Sequence, residues 1–379
     1  TVITYIQKYF IMGRSLTSET DAETGTMTFD AVRGVQAGKE FYSAMVSFKT
    51  IAEHFKFDDP TLGADQRAQR IVRSSRVPTL ANYIIQNPDN YVFSSITLSV
   101  GGKMTFHPTP GLGELGRTGT LIISMNSPLL INDGQHRCAA IKEVYSKHKE
   151  FQNEKVSVVF FLDKGLKRSQ QIFADLNKHA VKPTKSLGLL YDHRDTYARF
   201  IVNLSKDVEI FRGRTEMERA SISSRSRNFF TLNGIADATR YLLKLKTKSI
   251  PPEKQKLAVE FWDAVGNAMS DWQLLLDKDS KVSPAELRAL YVHSHTNMLN
   301  AIGIAGHVLV TQHTDWKKML KKLNTIPWER TDPVWQGKIM IDNVMQKNKI
   351  GIKKAADYIL LKCGSSTTLD EFENKEKET

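Results

Sequence analysis

The chain has 379 residues, enough for two domains that each bury a core of their own. Its 53 Lys and Arg residues outnumber 41 Asp and Glu residues, and the net charge of +12 favours a polyanionic partner such as nucleic acid. Its two cysteines exclude a disulfide framework, a zinc site with the usual cysteine spacing and an iron–sulfur ligand set.

The first 195 residues alternate between strand-like and helix-like segments. Short apolar or alternating runs predict strands, because the side chains of a strand alternate between its two faces. The predicted strands are 41–48, 91–100, 120–125, 129–131 and 155–162. The Asn126-Ser127-Pro128 turn predicts that the third and fourth of these strands pair as a hairpin. This pattern indicates an α/β domain over residues 1–195.

From residue 196 onward the pattern changes, since apolar residues recur at helical intervals without a convincing strand between them. The predicted helical regions are 232–246, 257–276, 285–310 and 340–361. We therefore predict an all-α second domain over residues 196–366 that serves DNA binding or oligomerisation. The polar residues 367–379 predict a disordered tail.

A short segment, Asp-Gly-Gln-His-Arg, joins the end of an apolar strand to the start of a helix. Gly134 permits the backbone angles of a tight turn, and the free N–H groups of the new helix attract anions. Gln135 and His136 add donors, and Arg137 can bind two phosphate oxygens at once. The Asp133 carboxylate would repel phosphate unless it holds a metal such as Mg²⁺ or orients water. The segment therefore predicts a metal–nucleotide site.

Two interpretations of this segment stay open. In the first, Asp133, Gln135 and His136 are catalytic residues of an NTPase, and Asp133 also holds the Mg²⁺ ion. In the second, Asp133 caps the helix and pairs with Arg137, and the segment binds no ligand.

The Asp-Gly-Gln-His-Arg segment matches the signature of DGQHR-domain proteins, whose fold is similar to the ParB/sulfiredoxin-like nucleotide-binding domain. A longer ordered series resembles the DndB family of bacterial DNA phosphorothioation gene clusters. That series comprises residues 75–78, 82–84, 91–93, 158–161, 168–177, 179–186, 190–195, 223–227 and 230–232. The resemblance covers residues 30–365. It implies an α/β N-terminal domain of ParB/sulfiredoxin-like fold followed by an all-α C-terminal domain.

In the ParB-like fold that the resemblance implies, Asn177 and Lys182 lie beside the glycine turn and complete a nucleotide pocket. The candidate nucleotide-binding residues are Gly134, Gln135, His136, Arg137, Asn177 and Lys182. The expected ligand is a nucleoside triphosphate with Mg²⁺, and one bound nucleotide requires Asn177 within about 15 Å of Arg137. The alternative is an Asn helix cap followed by a solvated basic loop.

Two basic segments are candidates for contact with double-stranded DNA. The first, the arginine stripe, comprises Arg67, Arg70, Arg73 and Arg76, and on a helix it would follow a phosphate backbone. The second precedes the helix that starts at residue 232 and comprises Ser223, Arg225 and Arg227, with Thr231 as the N-cap of that helix. For the arginine stripe, the alternative is a solvated helix face. For the second segment, the alternative is that Arg225 and Arg227 are buried against Glu216 or Glu218.

The DndB resemblance implies a DNA-binding protein that regulates transcription of the modification genes, and not one of the sulfur-inserting enzymes. Nucleotide binding would switch DNA binding, as in ParB-like proteins. The alternative is an NTPase or another nucleotide-dependent DNA-processing accessory of a modification or restriction system. A third interpretation is a structural partner that has kept the fold and lost the ligand.

The expected partners are double-stranded DNA, other proteins of the modification cluster and further copies of the chain. No segment is apolar and long enough to span a membrane, and the N-terminus has no signal-peptide pattern. We therefore expect a cytoplasmic protein that does not bind membranes.

Overall fold

The structure is a computed structural model. It describes residues 19–21, 24–55, 74–111, 116–162, 165–178, 183–245, 247, 249–342, 344–346 and 348–378. The chain is mixed α/β, as the sequence predicts, and it divides into two compact units, Thr1–Val181 and Lys182–Thr379. This division precedes the boundary predicted at residue 195. The reason is that the Ser186 hydroxyl bonds to the Arg219 carbonyl and the Asn233 side chain, both in the second unit.

The described part of the first unit contains an eight-stranded sheet with helices packed on it. The strands are β1 (Thr20–Asp21), β2 (Thr26–Gln36), β3 (Lys39–Ser47), β4 (Ile96–Val100), β5 (Met104–Pro108), β6 (Thr118–Ser124), β7 (Leu129–Asp133) and β8 (Lys155–Leu162). The helices are α1 (Phe48–His54), α2 (Val77–Gln86), α3 (Gln135–Lys147) and α4 (Leu166–Lys178). Short 3₁₀ turns lie at Ser74–Arg76 and Lys149–Asn153.

The order of the strands requires the sheet to curl. The order is β5-β6-β2-β3-β8-β4-β7, with β1 beside β2, and these pairs are antiparallel except β4 with β8. In a flat sheet β6 and β7 would lie about 24 Å apart, but the link from Ser124 to Leu129 reaches only about 18 Å. The link from β4 to β5 is shorter still. The two links touch, since Gly101 donates its N–H to the Pro128 carbonyl at 2.8 Å.

The predicted hairpin of 120–125 with 129–131 is therefore wrong. β6 pairs with β2 and β5, whereas β7 pairs with β4 and forms an edge of the sheet. The turn after Ser124 does not fold β7 back onto β6; it carries the chain across the gap between the two edges of the curled sheet. As a result, Asp133 ends an edge strand beside Thr97 of β4.

The second unit is mainly helical. Its helices are α5 (Lys185–Tyr191), α6 (Thr196–Asp207), α7 (Leu232–Leu243), α8 (Pro252–Ala268), α9 (Ser270–Gln273), α10 (Pro284–Leu290), α11 (Thr296–Gln312), α12 (Trp316–Leu320), α13 (Lys349–Cys363) and α14 (Leu369–Glu378). Short 3₁₀ turns lie at Lys321–Thr325 and Pro333–Trp335. The all-α prediction missed two strand pairs, the parallel β9 (Thr215–Glu216) with β10 (Phe230–Thr231) and the antiparallel β11 (Met340–Ile341) with β12 (Val344–Met345).

The predicted helical region 285–310 is interrupted at residues 291–295, between α10 and α11. Tyr291 forms an isolated bridge with Glu329 there. His293 is fully buried, accepts a hydrogen bond from the Trp272 indole at 3.0 Å and lies 3.0 Å from an Asp271 carboxylate oxygen. The break therefore places a satisfied polar side chain in the core, which helical periodicity alone does not reveal.

The tail predicted to be disordered contains α14. Leu369 and Phe372 are buried in the core of the second unit. The Leu369 N–H donates to Asp357 at 2.8 Å, and Glu373 pairs with Lys353 at 2.6 Å. Two buried apolar residues, a main-chain hydrogen bond and an ion pair thus attach a segment whose average composition is polar.

Helix α11 is buried along most of its length and packs closely against α7. Gly303 permits this contact, because a Cβ at that position would lie 2.3 Å from the Ala238 carbonyl oxygen. Gly306 faces Phe261 in the same way, because a Cβ at Gly306 would lie 2.2 Å from the Phe261 ring. The two glycines thus bring α11 against its neighbours more closely than larger side chains would allow.

Gly303→Ala should lower the free energy of unfolding by about 2–3 kcal/mol, because the new methyl group must displace main chain rather than a side chain. Urea titration followed by tryptophan fluorescence measures this change, since the five tryptophans are Trp262, Trp272, Trp316, Trp328 and Trp335, all in the second unit. Gly188→Ala is the matched control: it lies in α5 with no atom within 4 Å of the new Cβ, and it should be neutral or stabilising. Equal effects of the two variants would contradict the steric argument.

Candidate nucleotide-binding and DNA-binding sites

The turn between β7 and α3 requires glycine. Gly134 is the N-cap of α3 and has a φ of 102°, in the left-handed region. A Cβ there would lie 3.0 Å from the Ile96 side chain and 3.1 Å from Nη2 of Arg137. Both the backbone conformation and the tight contacts therefore disfavour a side chain at this position.

The amide side chains of the turn are used internally. Gln135 is buried, and its Nε2 donates to the carbonyls of Ile131 at 3.0 Å and Asn132 at 3.2 Å. The buried Asn132 side chain accepts from the Ser99 hydroxyl at 2.9 Å and donates to the Ser169 carbonyl at 3.2 Å. These bonds attach β7 to β4 and α4, so this structure gives Gln135 a structural contact rather than a solvent-facing one.

Arg137 is also held within the first unit. Its Nη2 lies 2.7 Å from the Asp133 carboxylate and donates to the Ser95 carbonyl at 3.2 Å, while Nη1 donates to the Ser94 hydroxyl. Its Nε is buried without a hydrogen-bond partner among the described residues. The interpretation in which this segment binds no ligand predicted an Asp133–Arg137 pair and a helix cap by Asp133. The pair is confirmed. The predicted cap is wrong, because Gly134 and not Asp133 is the N-cap of α3.

A cleft of about 390 Å³ opens beside this turn. Polar side chains in its wall include Arg76, Tyr83, Asp133 and His136, and the Asp133 side chain is 43% exposed. Within the described ranges, no group of three or more His, Cys, Asp and Glu side chains is arranged to hold a metal. The cleft thus offers one accessible carboxylate, one imidazole and one exposed guanidinium to a small ligand.

Several predicted residues fall outside what the structure describes. Asn177 belongs to α4, but its side chain lies outside the described residues, as do Lys182 and three members of the arginine stripe, Arg67, Arg70 and Arg73. Its fourth member, Arg76, ends the Ser74–Arg76 turn and lines the cleft. The expected distance between Asn177 and Arg137 stays a prediction.

In the second unit, the basic loop (residues 217–229) is held from two directions. Arg288 of α10 donates to the carbonyls of Ser223 at 3.0 Å, Ser224 at 3.2 Å and Ser226 at 3.0 Å, and to that of Asn228. A cation on α10 thus binds four carbonyls of the loop, between Ser223 and Asn228.

The Glu216 carboxylate binds the amides of the same loop. It accepts from the N–H groups of Glu218 at 3.1 Å and Arg219 at 3.2 Å, and from the Asn228 side chain at 3.0 Å. Burial alone would raise the pKa of Glu216, but these hydrogen bonds lower it below its usual value, so the carboxylate stays charged at neutral pH.

The loop presents its basic side chains to solvent. Ser223, Arg225 and Arg227 are exposed. The alternative in which these arginines are buried against Glu216 or Glu218 is therefore wrong, because main-chain amides and Asn228 occupy the Glu216 carboxylate. The Thr231 hydroxyl accepts from the Gly234 N–H at 3.1 Å, which confirms the predicted N-cap of α7.

A family model described as DndB, DNA-sulfur modification-associated, matches residues 29–366. The chain belongs to the DndB family. This confirms the resemblance over nearly the whole length, and membership associates the chain with DNA-sulfur modification. Comparison with curated proteins and with solved structures gave no match. The ParB-like fold of the first unit stays a prediction.

Sequence reasoning missed the role of Arg288 in this DndB-family protein. Its contacts are main-chain carbonyls some 60 residues earlier in the chain, and no side-chain pattern marks such acceptors. The only available signal was an arginine in a short helix with a Ser283–Glu286 capping box. In the described part of the chain, no helix combines the length and apolar character that a membrane crossing requires.

If Arg137 braces the turn, Arg137→Ala should reduce the stability of the β7–α3 region by about 1–2 kcal/mol, through loss of charged hydrogen bonds. Hydrogen exchange of peptides covering residues 129–147 measures this locally, without relying on tryptophan. Arg76→Ala removes an equal charge from the same cleft at an exposed position and should change exchange by less than about 0.5 kcal/mol. Unchanged protection in Arg137→Ala would show that the brace contributes nothing.

Proposed function

We propose that this DndB-family protein binds double-stranded DNA and regulates transcription of a DNA phosphorothioation gene cluster. The observation that carries the proposal is the basic loop, whose exposed Arg225 and Arg227 sit on main chain that Arg288 and Glu216 hold in place. Family membership supplies the context of DNA-sulfur modification.

A loop that is held in place before it meets DNA favours binding. Arginine and serine are common phosphate-contacting residues, and a loop that already has one conformation loses less entropy when it meets the DNA backbone. The net charge of +12 adds long-range attraction to a polyanion. Contacts of this kind favour affinity and register, whereas base recognition would need further residues.

A second candidate function is nucleotide binding in the cleft of the first unit, and the ParB-like fold belongs to this proposal. The cleft of about 390 Å³ favours it, together with the accessible Asp133 carboxylate and the buried, unpartnered Nε of Arg137. Asp133 would hold Mg²⁺ or orient water, and Arg76 and His136 would contact phosphate. Arg137 would have to break its ion pair with Asp133 before it could contact phosphate.

For the DNA-binding proposal, Arg225→Ala/Arg227→Ala should lower affinity for all duplexes and reduce the slope of log affinity against log salt by about one to two units. Fluorescence anisotropy at several salt concentrations measures this slope. Lys318→Ala/Lys321→Ala removes the same charge from other exposed positions of the second unit and should leave the slope nearly unchanged.

A melting curve accompanies each titration, so that a loss of fold is not mistaken for a loss of contact. An unchanged slope in Arg225→Ala/Arg227→Ala, with an unchanged melting temperature, would remove the basic loop from the DNA surface. The arginine stripe would then be the next segment to test.

For the nucleotide proposal, calorimetry of the full chain with ATP and Mg²⁺ should detect binding. If hydrolysis accompanies it, Asp133→Ala should abolish phosphate release while binding largely persists, because the carboxylate acts on metal or water. Asp89→Ala removes an exposed carboxylate elsewhere in the first unit and serves as the control. No heat with wild-type protein, with or without Mg²⁺, would eliminate nucleotide binding in this cleft.

A further inference from the structure

A half-open cavity of about 540 Å³ in the second unit is lined in part by the basic loop. Ser221, Ile222 and Ser224 of the loop form one side, and the start of α11 forms another. Arg288 and Arg330 both reach its wall. Neither the DNA-binding proposal nor the cleft of the first unit makes use of this space.

The cavity carries positive charge without a matching carboxylate. Among the described residues that line it there is no Asp or Glu. Arg288 donates to loop carbonyls, and Arg330 donates to the Ala289 carbonyl at 3.4 Å, so both guanidiniums are held by neutral groups. Burial lowers the pKa of Arg288, which reflects a partly desolvated charge. An anion in the cavity would compensate both charges.

The pKa of His295 is lowered by burial and, in part, by the neighbouring cations Arg330 and Arg288. Its Nε2 lies 3.1 Å from the Arg288 carbonyl, which it can only meet as a donor. Burial first, and then the charge of Arg330, lower its pKa to about 4. The imidazole is therefore neutral at pH 7 and adds no further charge, and the positive potential of the cavity comes from the two arginines.

We propose that this cavity binds a small phosphorylated ligand of mononucleotide size, with its phosphate between Arg288 and Arg330. Arginine is suited to this role because its guanidinium forms paired hydrogen bonds with phosphate oxygens. The apolar side chains of Ile222 and Met345 also line the cavity and would contact the rest of the ligand. A volume of about 540 Å³ is typical of small-molecule sites.

Ligand binding and the basic loop compete for the same guanidinium. Arg288 bonds to the carbonyls of Ser223, Ser224 and Ser226, and a phosphate at Arg288 would draw donors away from them. The ligand therefore loosens the loop and lowers affinity for DNA, and by linkage DNA lowers affinity for the ligand. This regulatory half rests on the proposed DNA-binding function; the binding half does not.

Calorimetry of the full chain without DNA tests the binding half, with inorganic phosphate, AMP, dAMP, GMP and dGMP as probes. At least one probe should bind at one site per chain. Arg330→Ala should weaken it at least about tenfold, as should Ala289→Phe, which fills the cavity from an exposed position and keeps both charges. Arg212→Ala, an arginine held by the Lys206 and Asp207 carbonyls outside the cavity, should bind normally.

Arg137→Ala tests whether the probe binds in the cleft of the first unit instead of this cavity. Failure of every probe to bind wild-type protein, or loss of binding in Arg137→Ala but not in Arg330→Ala, would overturn the proposal. A melting curve without ligand shows whether Arg330→Ala is folded, and Ala289→Phe provides the independent variant if it is not.

Anisotropy with duplex DNA then tests the regulatory half. The probe that binds should reduce DNA affinity of wild-type protein at least about threefold and leave that of Ala289→Phe unchanged. A ligand that binds without changing DNA affinity would overturn the regulatory half alone. Absence of DNA binding in wild-type protein would instead reject the proposed function and leave the ligand site standing.

Discussion

The guanidinium of Arg288 is the group on which the surface of the second unit depends. One side chain of α10 hydrogen-bonds to four carbonyls of the basic loop and so holds a segment without regular secondary structure at four points. Glu216 binds the amides of the same segment. The Arg288 cation thus binds carbonyl groups of the loop, and the Glu216 anion binds its N–H groups. Hydrogen bonds to a charged group are stronger than those between neutral groups.

The first unit uses an arginine in a different way. Arg137 bonds to Asp133 and to the segment before β4, and so fixes the turn around Gly134. A side chain committed to such bonds is a poor phosphate ligand, because binding must first break them. Arg225 and Arg227 need no such rearrangement, since they are exposed. This difference is why we propose the second unit, and not the Gly134 turn, for DNA contact.

The local pattern of apolar residues predicted the positions of many strands and helices, but not which strands pair. The apolar run at 155–162 matches β8 residue for residue, and Val156, Val158 and Phe160 point into the core at every second position. The strand before Asp133 was also found, but its partner was wrong, since pairing depends on the curl of the whole sheet. The exposed arginines of the basic loop were identified from composition; Arg288 was not, because its acceptors belong to the main chain.

The curled sheet also determines how the first unit can fold. Its central pairs join residues far apart in the chain, such as Phe41 with Phe161 and Ile96 with Val158. Chain entropy must be lost over these long loops before the contacts repay it, so high contact order slows folding. Strand β8 lies between β3 and β4 and is the last of the eight strands of this sheet to be synthesised. Until it is inserted, β4 and β7 have no strand pairing with the β2–β3 half, and the Gly134 turn has no completed sheet beneath it.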